Sequence, residues 1–274
     1  MLPLLQVQPG FTLADIDPDS APGFDGSKAK GIKALERGAA ELGDLQERLF
    51  AESLYGGKRS VLLVLQGMDT SGKGGIVHHA LAAANPQGLE VFGFKAPTDE
   101  EKSHDFLWRV RKHLPRPGII GVFDRSHYED VLIHRVRGLS SPEVVEERYG
   151  LIRDFEAALV ESGTSVVKVM LHISRDEQKD RLQERLDRPD KHWKYNPGDV
   201  DEREYWGAYQ EAYEIALNRT ATFDAPWFVV PANRKWYARL AVQEILIDTL
   251  RKLDPAWPQP DFDVESEKKR LAAS

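Results

Sequence analysis

A doubly wound α/β domain around a parallel sheet of about five strands is what this chain of 274 residues should form. Short apolar runs alternate along it with longer amphipathic stretches, the order that strand–helix–strand units require. The run Val61, Leu62, Leu63, Val64, Leu65 is apolar without alternation, which suits a strand buried on both faces. Directly after it, residues 67–73 have the GxxxxGK spacing, with Gly67, Gly72 and Lys73 at the defining positions. Such a loop curls backbone N–H groups around an anion, aims a helix N-terminus at it, and supplies one lysine for the outer phosphates. A glycine-rich turn that binds nothing is the alternative. The strand pattern before the loop and the helix pattern after it speak against that.

In chain order, residues 1–27 are rich in Pro, Gly and Asp without a sustained period and read as an irregular arm, laid over the body or a neighbouring subunit. Over 28–55, Ile32, Leu35, Ala39, Leu42, Leu45 and Leu49 recur at helical spacing. After the loop, Ile76, Val77, Ala80, Leu81 and Ala84 mark a buried helix face that Asn85 and Pro86 end. A second strand is expected over 89–94, with Lys95 facing the ligand crevice at its end. Thr98 and Glu101 form a capping box that opens a helix carrying Phe106, Leu107, Val110 and Leu114. Residues 118–123 form a third strand closed by Asp124. Ser141 and Pro142 are an N-cap and first helical position, and Val145, Ile152, Phe155 and Leu159 give that helix its buried face. A fourth strand over 166–173 leads into a second capping box at Ser174 and Glu177. A polar segment over 187–199, a helix over 201–218, a strand over 227–230 and a helix over 234–253 complete one domain spanning 28–254. The charged tail, 255–274, should be irregular.

The chemistry sits at the carboxyl ends of these strands. The position after Lys73 is Gly74, where a serine or threonine hydroxyl normally meets Mg²⁺. Asp69 inside the loop is the substitute, because a carboxylate beside a phosphate cradle needs a cation between them. Asp124 ends a strand about fifty residues later, where phosphate-loop proteins place a second Mg²⁺-binding acid. Arg125 follows it as a candidate charge clamp, with a salt bridge to a neighbouring acid as the alternative. Arg181, Arg185 and Arg188 share one helix face, and a lid over about 174–200 would fold them across the phosphates. Glu177, Asp180, Glu184 and Asp187 lie on the adjacent stripe, so a solvated helix laced with ion pairs is the alternative. His78 and His79 have no acid or second histidine at a metal spacing and read as structural. The tryptophans are scattered and form no stacking platform.

Composition narrows the classes. A formal net charge of −7 argues against general nucleic-acid binding, so a polyanionic ligand would need a local basic channel. The absence of cysteine excludes disulfides and thiolate metal sites and fits a cytoplasmic protein. No apolar run approaches the roughly 18–20 residues that span a bilayer, and residues 1–8 have no signal-peptide pattern.

The segments LQGMDTSGK (65–73), FKAPT (94–98), HDFLWR (104–109), DRSHYEDVL (124–132), KHWK (191–194), APW (225–227), PA (231–232) and KWY (235–237) together resemble the polyphosphate kinase 2 family. The likeness covers nearly the whole chain. It implies a thymidylate-kinase-like phosphate-loop fold with a helical lid. It also implies Mg²⁺-dependent, reversible phosphoryl transfer between inorganic polyphosphate and a nucleotide, with Mn²⁺ as a substitute metal. On that resemblance Asp69 and Asp124 organise the metal, and Lys73 and Arg125 clamp phosphate. Gly67, Thr70, Ser71, Gly72, Gly74, Lys95, Arg181, Arg185 and Arg188 line the phosphate path. Tyr128, Glu129 and Asp130 look like the acceptor side of the branch that takes AMP to ADP and on to ATP. In many relatives the loop reads Asp-Ala-Ala-Gly-Lys-Asp-Gly, whereas here Thr70 and Ser71 replace the alanines and Gly74 the second aspartate. A homo-oligomer, dimer or tetramer, and acceptance of guanine nucleotides are further expectations. An ATP-dependent nucleotide or small-molecule kinase shares these motifs, and a non-catalytic nucleotide-binding module shares the loop.

Overall fold

The computed structural model describes all 274 residues. Five parallel strands, β1 (Ser60–Gln66), β2 (Leu89–Gly93), β3 (Ile120–Asp124), β4 (Thr164–His172) and β5 (Trp227–Pro231), form one sheet in the order β2-β3-β1-β4-β5. β1 is central and every one of its residues is buried, as a run without polar alternation requires. From β1 the chain builds outward to β3 and β2 on one side and to β4 and β5 on the other. A crevice therefore opens at the carboxyl ends of the strands. The β1–β3 register pairs Leu65 with Asp124, which brings the strand-end acid level with the phosphate loop.

The helices are α1 (Lys28–Leu54), α2 (Lys73–Ala80), α3 (Asp99–Lys102), α4 (Trp108–Arg111), α5 (Ile133–Val136), α6 (Pro142–Glu161), α7 (Arg175–Asp187), α8 (Gly198–Glu202), α9 (Trp206–Thr220), α10 (Lys235–Leu253) and α11 (Val264–Ala272). α10 packs on α1, α2 and β5, while α6 packs on β4 and α9, so the sheet is covered on both faces. Ser27 caps α1, and Ser141 caps α6 as its sequence suggests, with Pro142 in the first turn of α6.

Beneath the strand ends lies a buried polar network. Lys168 Nζ on β4 donates to Glu156 Oε2 on α6 (2.5 Å), to the Tyr128 hydroxyl (3.2 Å) and to Thr220 O (2.8 Å). The Tyr128 hydroxyl donates to Glu156 Oε1 (2.8 Å), and Trp227 Nε1 donates to Thr220 Oγ1 (2.9 Å). Burial alone would raise the Glu156 carboxyl, but the Lys168 ammonium and the His127 ring hold it below the ordinary carboxylate range.

The structure departs from the sequence expectations in four places. Residues 98–114 form two short helices rather than one. The Thr98–Glu101 capping box is present, but Ser103 Oγ donates to Glu100 O (2.7 Å) and Asp105 Oδ1 accepts from Leu107 N (3.1 Å). Such local bonds compete with helix continuation. α2 stops at Ala80, and the helix expected from 201 begins at Trp206, preceded by the shorter α8. The tail contains α11, started by Asp263 accepting from Glu265 N and Ser266 N. It carries no buried residue, so no apolar period announces it. The arm over 1–27 has only short turns, yet it is anchored to the body. Gln6 makes an antiparallel bridge with Phe228, and Val7 N donates to Trp227 O (2.9 Å). Farther along, Pro18 O and Pro22 O accept from Asn233 N (3.1 Å) and the Tyr237 hydroxyl (2.7 Å).

Candidate active site

The phosphate loop joins β1 to α2. Gly67 sits at φ +146°, and a Cβ there would lie 2.6 Å from Leu171 O, so only glycine lets β1 turn beside β4. Thr70 adopts φ +64°, a left-handed conformation uncommon for threonine. Lys73 is buried and folds back over the loop, its Nζ donating to Gly67 O (2.8 Å) and Met68 O (3.4 Å). Burial and the Arg125 charge lower its pKa, against the pull of Asp124 and Asp69.

Arg125, at φ +64° straight after β3, reaches across to the loop. Its Nη2 contacts Asp69 Oδ1, and its Nη1 lies 3.7 Å from Glu129 Oε2. Burial works against the guanidinium charge, but Glu129 and Asp69 outweigh it and raise the pKa. Glu129 is pushed up by burial, which its proximity to Arg125 and Lys73 only partly offsets. Asp199 on α8 also feels the Asp69 charge. Burial and the nearby Asp69 push it up to about 6, against the stabilising Arg185, whose Nη1 lies 3.2 Å from Asp199 Oδ2.

One cavity of about 690 Å³ joins the loop, Asp124 and Arg125 to α7 and the segment after it. Lys73, Arg125, Arg185, Arg188, Lys191 and Lys194 give it a strongly cationic wall, against the acids Asp69, Asp124 and Glu184. A chain of net charge −7 thus carries a concentrated basic channel where the strands end.

Of the residues singled out in the sequence, Asp69, Thr70, Ser71, Gly72, Lys73, Gly74, Asp124, Arg125, Arg181, Arg185 and Arg188 all border this cavity. Gly67 lies behind it in the turn. Lys95 does not reach the cavity: it is exposed, and its carbonyl accepts from Arg109 Nη1 (2.9 Å). The triplet 128–130 is split by its 3₁₀ turn. Glu129 faces Arg125, whereas Tyr128 points into the buried network and Asp130 pairs inward with His134 (3.4 Å) and Arg148 (3.7 Å). Arg181 is the least exposed of the lid arginines and is hydrogen-bonded to backbone carbonyls on two sides. The Ser174 cap is half of the expected box: Ser174 Oγ accepts from Glu177 N (3.1 Å), but the Glu177 carboxylate turns forward to Arg181 Nε (2.6 Å).

Sequence reasoning missed several wall residues. His78 and His79, read as structural, are exposed and line the channel, as do Trp193, Lys235 and Arg239. Asp199 was also missed. The phosphate loop places the first turn of α2 at the ligand, and His78 and His79 follow Gly74 and Gly75 by one helical turn (i, i+4), a spacing that would have found them.

A family model described as polyphosphate kinase 2 matches residues 25–257. The chain is 46% identical over 258 residues to an AMP/ADP-polyphosphate phosphotransferase of Meiothermus ruber, a match spanning 93% of this chain and 95% of that one. It is 40% identical to an ADP-polyphosphate phosphotransferase of Rhodopseudomonas palustris, over 88% of this chain and 86% of the relative. Among solved structures, polyphosphate kinase 2 from Arthrobacter aurescens TC1 superposes with a TM-score of 0.97 at 56% identity, covering 99% of this chain and 96% of that one.

Proposed function

The chain belongs to the polyphosphate kinase 2 family, whose activity is polyphosphate-dependent nucleotide phosphorylation, and from that premise we propose how its own residues carry the reaction. The terminal phosphoryl group of inorganic polyphosphate passes to a phosphate oxygen of AMP, and then of ADP. One P–O bond of the polymer breaks, one forms on the nucleotide, and the polymer is left one phosphate shorter. The step is reversible because both bonds are phosphoanhydrides.

The observation that carries this reading is the cationic channel running from the phosphate loop along α7. ATP as donor would need cations for three phosphates, whereas Arg188, Lys191 and Lys194 extend the wall well past Lys73. The loop N–H groups and Lys73 hold the transferring phosphate, and Arg125 offsets the charge that develops on its oxygens. Glu129, beside Arg125, faces the acceptor side.

The donor set suits Mg²⁺. Asp69 and Asp124 supply hard carboxylate oxygens beside the loop, and Thr70 Oγ1 and Ser71 Oγ are buried there without partners. No group of three or more histidine or acidic side chains converges into a metal cage. That matches a cation held by one or two carboxylates together with substrate phosphates. When bound, the metal neutralises charge across the reacting phosphates. Use of guanine nucleotides, assembly into a homo-oligomer and a cytoplasmic location belong to the same reading. No helix is long and apolar enough to cross a membrane.

The test is to incubate the chain with Mg²⁺, AMP and polyphosphate, and separately with Mg²⁺, ATP and candidate acceptors. ADP and ATP appearing from polyphosphate supports the proposal. Turnover with ATP alone as donor would replace it by an ATP-dependent kinase, and turnover with neither by a binding module.

A further inference from the structure

α7 looks from sequence like part of a mobile lid, yet its first half is fastened to the phosphate loop. Gln178 Nε2 donates to Asp69 O (3.1 Å), and Arg181 Nη1 donates to Thr70 O (2.9 Å) and Ser71 O (3.0 Å). Arg181 Nη2 donates to Ala232 O (2.6 Å) and Asn233 O (3.1 Å), and its Nε to Glu177 Oε1 (2.6 Å). A guanidinium has five N–H donors. All five are engaged, none is left for a substrate oxygen, and the side chain is only 6% exposed.

The three carbonyls held on the loop are consecutive. In a trans peptide the C=O of one residue is antiparallel to the N–H of the next. Fixing the carbonyls of Asp69, Thr70 and Ser71 therefore fixes the N–H groups of Thr70, Ser71 and Gly72, turned the opposite way. Ser71 N bonds to Met68 O (3.0 Å), which closes the loop on itself. The N–H groups of Thr70 and Gly72 have no acceptor in the protein and face the cradle. Thr70 meanwhile holds φ +64°, which threonine leaves readily unless something retains it.

We propose that Arg181, assisted by Gln178, is a positioning residue that aims the peptide N–H groups of the phosphate loop at the phosphate without touching it. The proposal rests on the loop being the phosphoryl-transfer site. Its second grip, on Ala232 and Asn233, sets the loop against the turn after β5. That turn is itself tied to the start of α7 by Ser174 N donating to Asn233 Oδ1 (3.0 Å). The guanidinium matters here for its shape, since a lysine at this position has one nitrogen and cannot span two pairs of carbonyls on opposite sides.

The experiment compares Arg181→Lys, Arg181→Ala and Gln178→Met in the full chain, with thermal unfolding run alongside. Turnover with AMP and polyphosphate is measured with and without millimolar guanidinium chloride or methylammonium chloride, and pyrophosphate affinity by calorimetry. Both arginine variants should lose on the order of a hundredfold in kcat, the scale expected of small misplacement, with KM for AMP nearly unchanged. Guanidinium should restore at least about a tenth of the loss and methylammonium nothing, because only the planar fork refills the vacated donors. Pyrophosphate affinity should follow the same pattern. Arg181→Lys within about threefold of wild type, or equal rescue by the two cations, would overturn the proposal and make Arg181 a simple charge on the phosphate.

If the arginine variants do not fold, Gln178→Met decides. It removes the contact to Asp69 O, together with the bond that Arg203 Nη1 donates to Gln178 Oε1 (2.9 Å), without changing charge. It should lower both kcat and pyrophosphate affinity, and wild-type values for both overturn the clamp. A wild-type chain that binds pyrophosphate but shows no polyphosphate turnover sinks the functional reading alone, and the calorimetry still tests the clamp. A wild type that does not bind pyrophosphate overturns both.

Discussion

Replacing Lys168 by methionine should destabilise the protein far more than the loss of one exposed ion pair would. The Lys168 side chain is 0% and its partner Glu156 2% exposed, with 2.5 Å between Nζ and Oε2. In Lys168→Met the carboxylate keeps only His127 Nε2 (3.2 Å) and the Tyr128 hydroxyl (2.8 Å). Breaking a buried pair on one side typically costs about 3–5 kcal/mol, most of it the burial of an uncompensated charge. At about 2–4 °C per kcal/mol for a chain somewhat smaller than this one, Tm should fall by roughly 6–20 °C. The double variant Lys168→Met/Glu156→Leu removes both charges and should recover at least half of the loss, since apolar replacements of buried pairs are often neutral.

The deficit should also depend on pH. Without Lys168, burial raises the Glu156 carboxyl above its unfolded value near 4.5. The folded state then takes up a proton more readily than the unfolded one, so the deficit shrinks as pH falls from neutrality towards 5. Urea unfolding followed by tryptophan fluorescence measures all of this. A single variant within about 1 kcal/mol of wild type, or a double variant no better than the single, would refute the reasoning.

Three further outcomes follow from the site and its surroundings. Lys73→Ala should reduce turnover by a hundredfold or more, as removal of a comparable charge-stabilising donor does, with the unfolding midpoint little changed; a variant keeping about a tenth of the wild-type rate would displace Lys73 from the chemistry. Arg188→Ala should raise KM for long polyphosphate more than for short polyphosphate or AMP, and added salt should imitate it, because Arg188 is exposed at the far wall of the channel; equal changes for all three ligands would place the channel elsewhere. His172, pushed down to about 4 by burial, stays neutral in the fold while its unfolded counterpart titrates near 6.5. Its contribution is therefore complete above about pH 6.5 and lost as pH falls towards 4, by about 3 kcal/mol in all, and His172→Gln should flatten that part of the Tm profile.

What the sequence made legible was whatever chemistry is local along the chain. An unbroken apolar run of five residues closed by a glycine loop suits a strand covered on both faces, and Gly67 and Gly72 announce a backbone path other residues do not take, so the central strand and the loop were legible. Direction around an element was legible only in part. Spacing put Arg181, Arg185 and Arg188 on one face, but could not say that Arg181 would meet carbonyls, Arg185 the carboxylate of Asp199, and Arg188, at the channel wall, those of Glu184 and Asp190. Tyr128 and Glu129 are neighbours in sequence and point to opposite environments because a 3₁₀ turn, not a strand, carries them. His78 and His79 lack a metal-ligand spacing, and what brings them to the channel is their place one helical turn after Gly74 and Gly75 on α2. The break at Ser103 to Asp105 depends on side chains bonding to their own backbone, a competition that apolar periodicity does not register.

The bridge between Gln6 and Phe228 bears on the order in which the molecule assembles. Its partners lie roughly 220 residues apart, so the contact carries a large loop-closure penalty until most of the sheet exists. During synthesis the arm emerges before the strands and waits for β5. β5 therefore forms with its outer edge open, and for that interval it presents unpaired N–H and C=O groups to any other chain. Arm docking is unimolecular while edge-to-edge capture is bimolecular, so the fraction refolded should fall as protein concentration rises. A deletion of residues 1–8 should widen that gap in refolding yield more than it lowers the activity of the molecules that do fold.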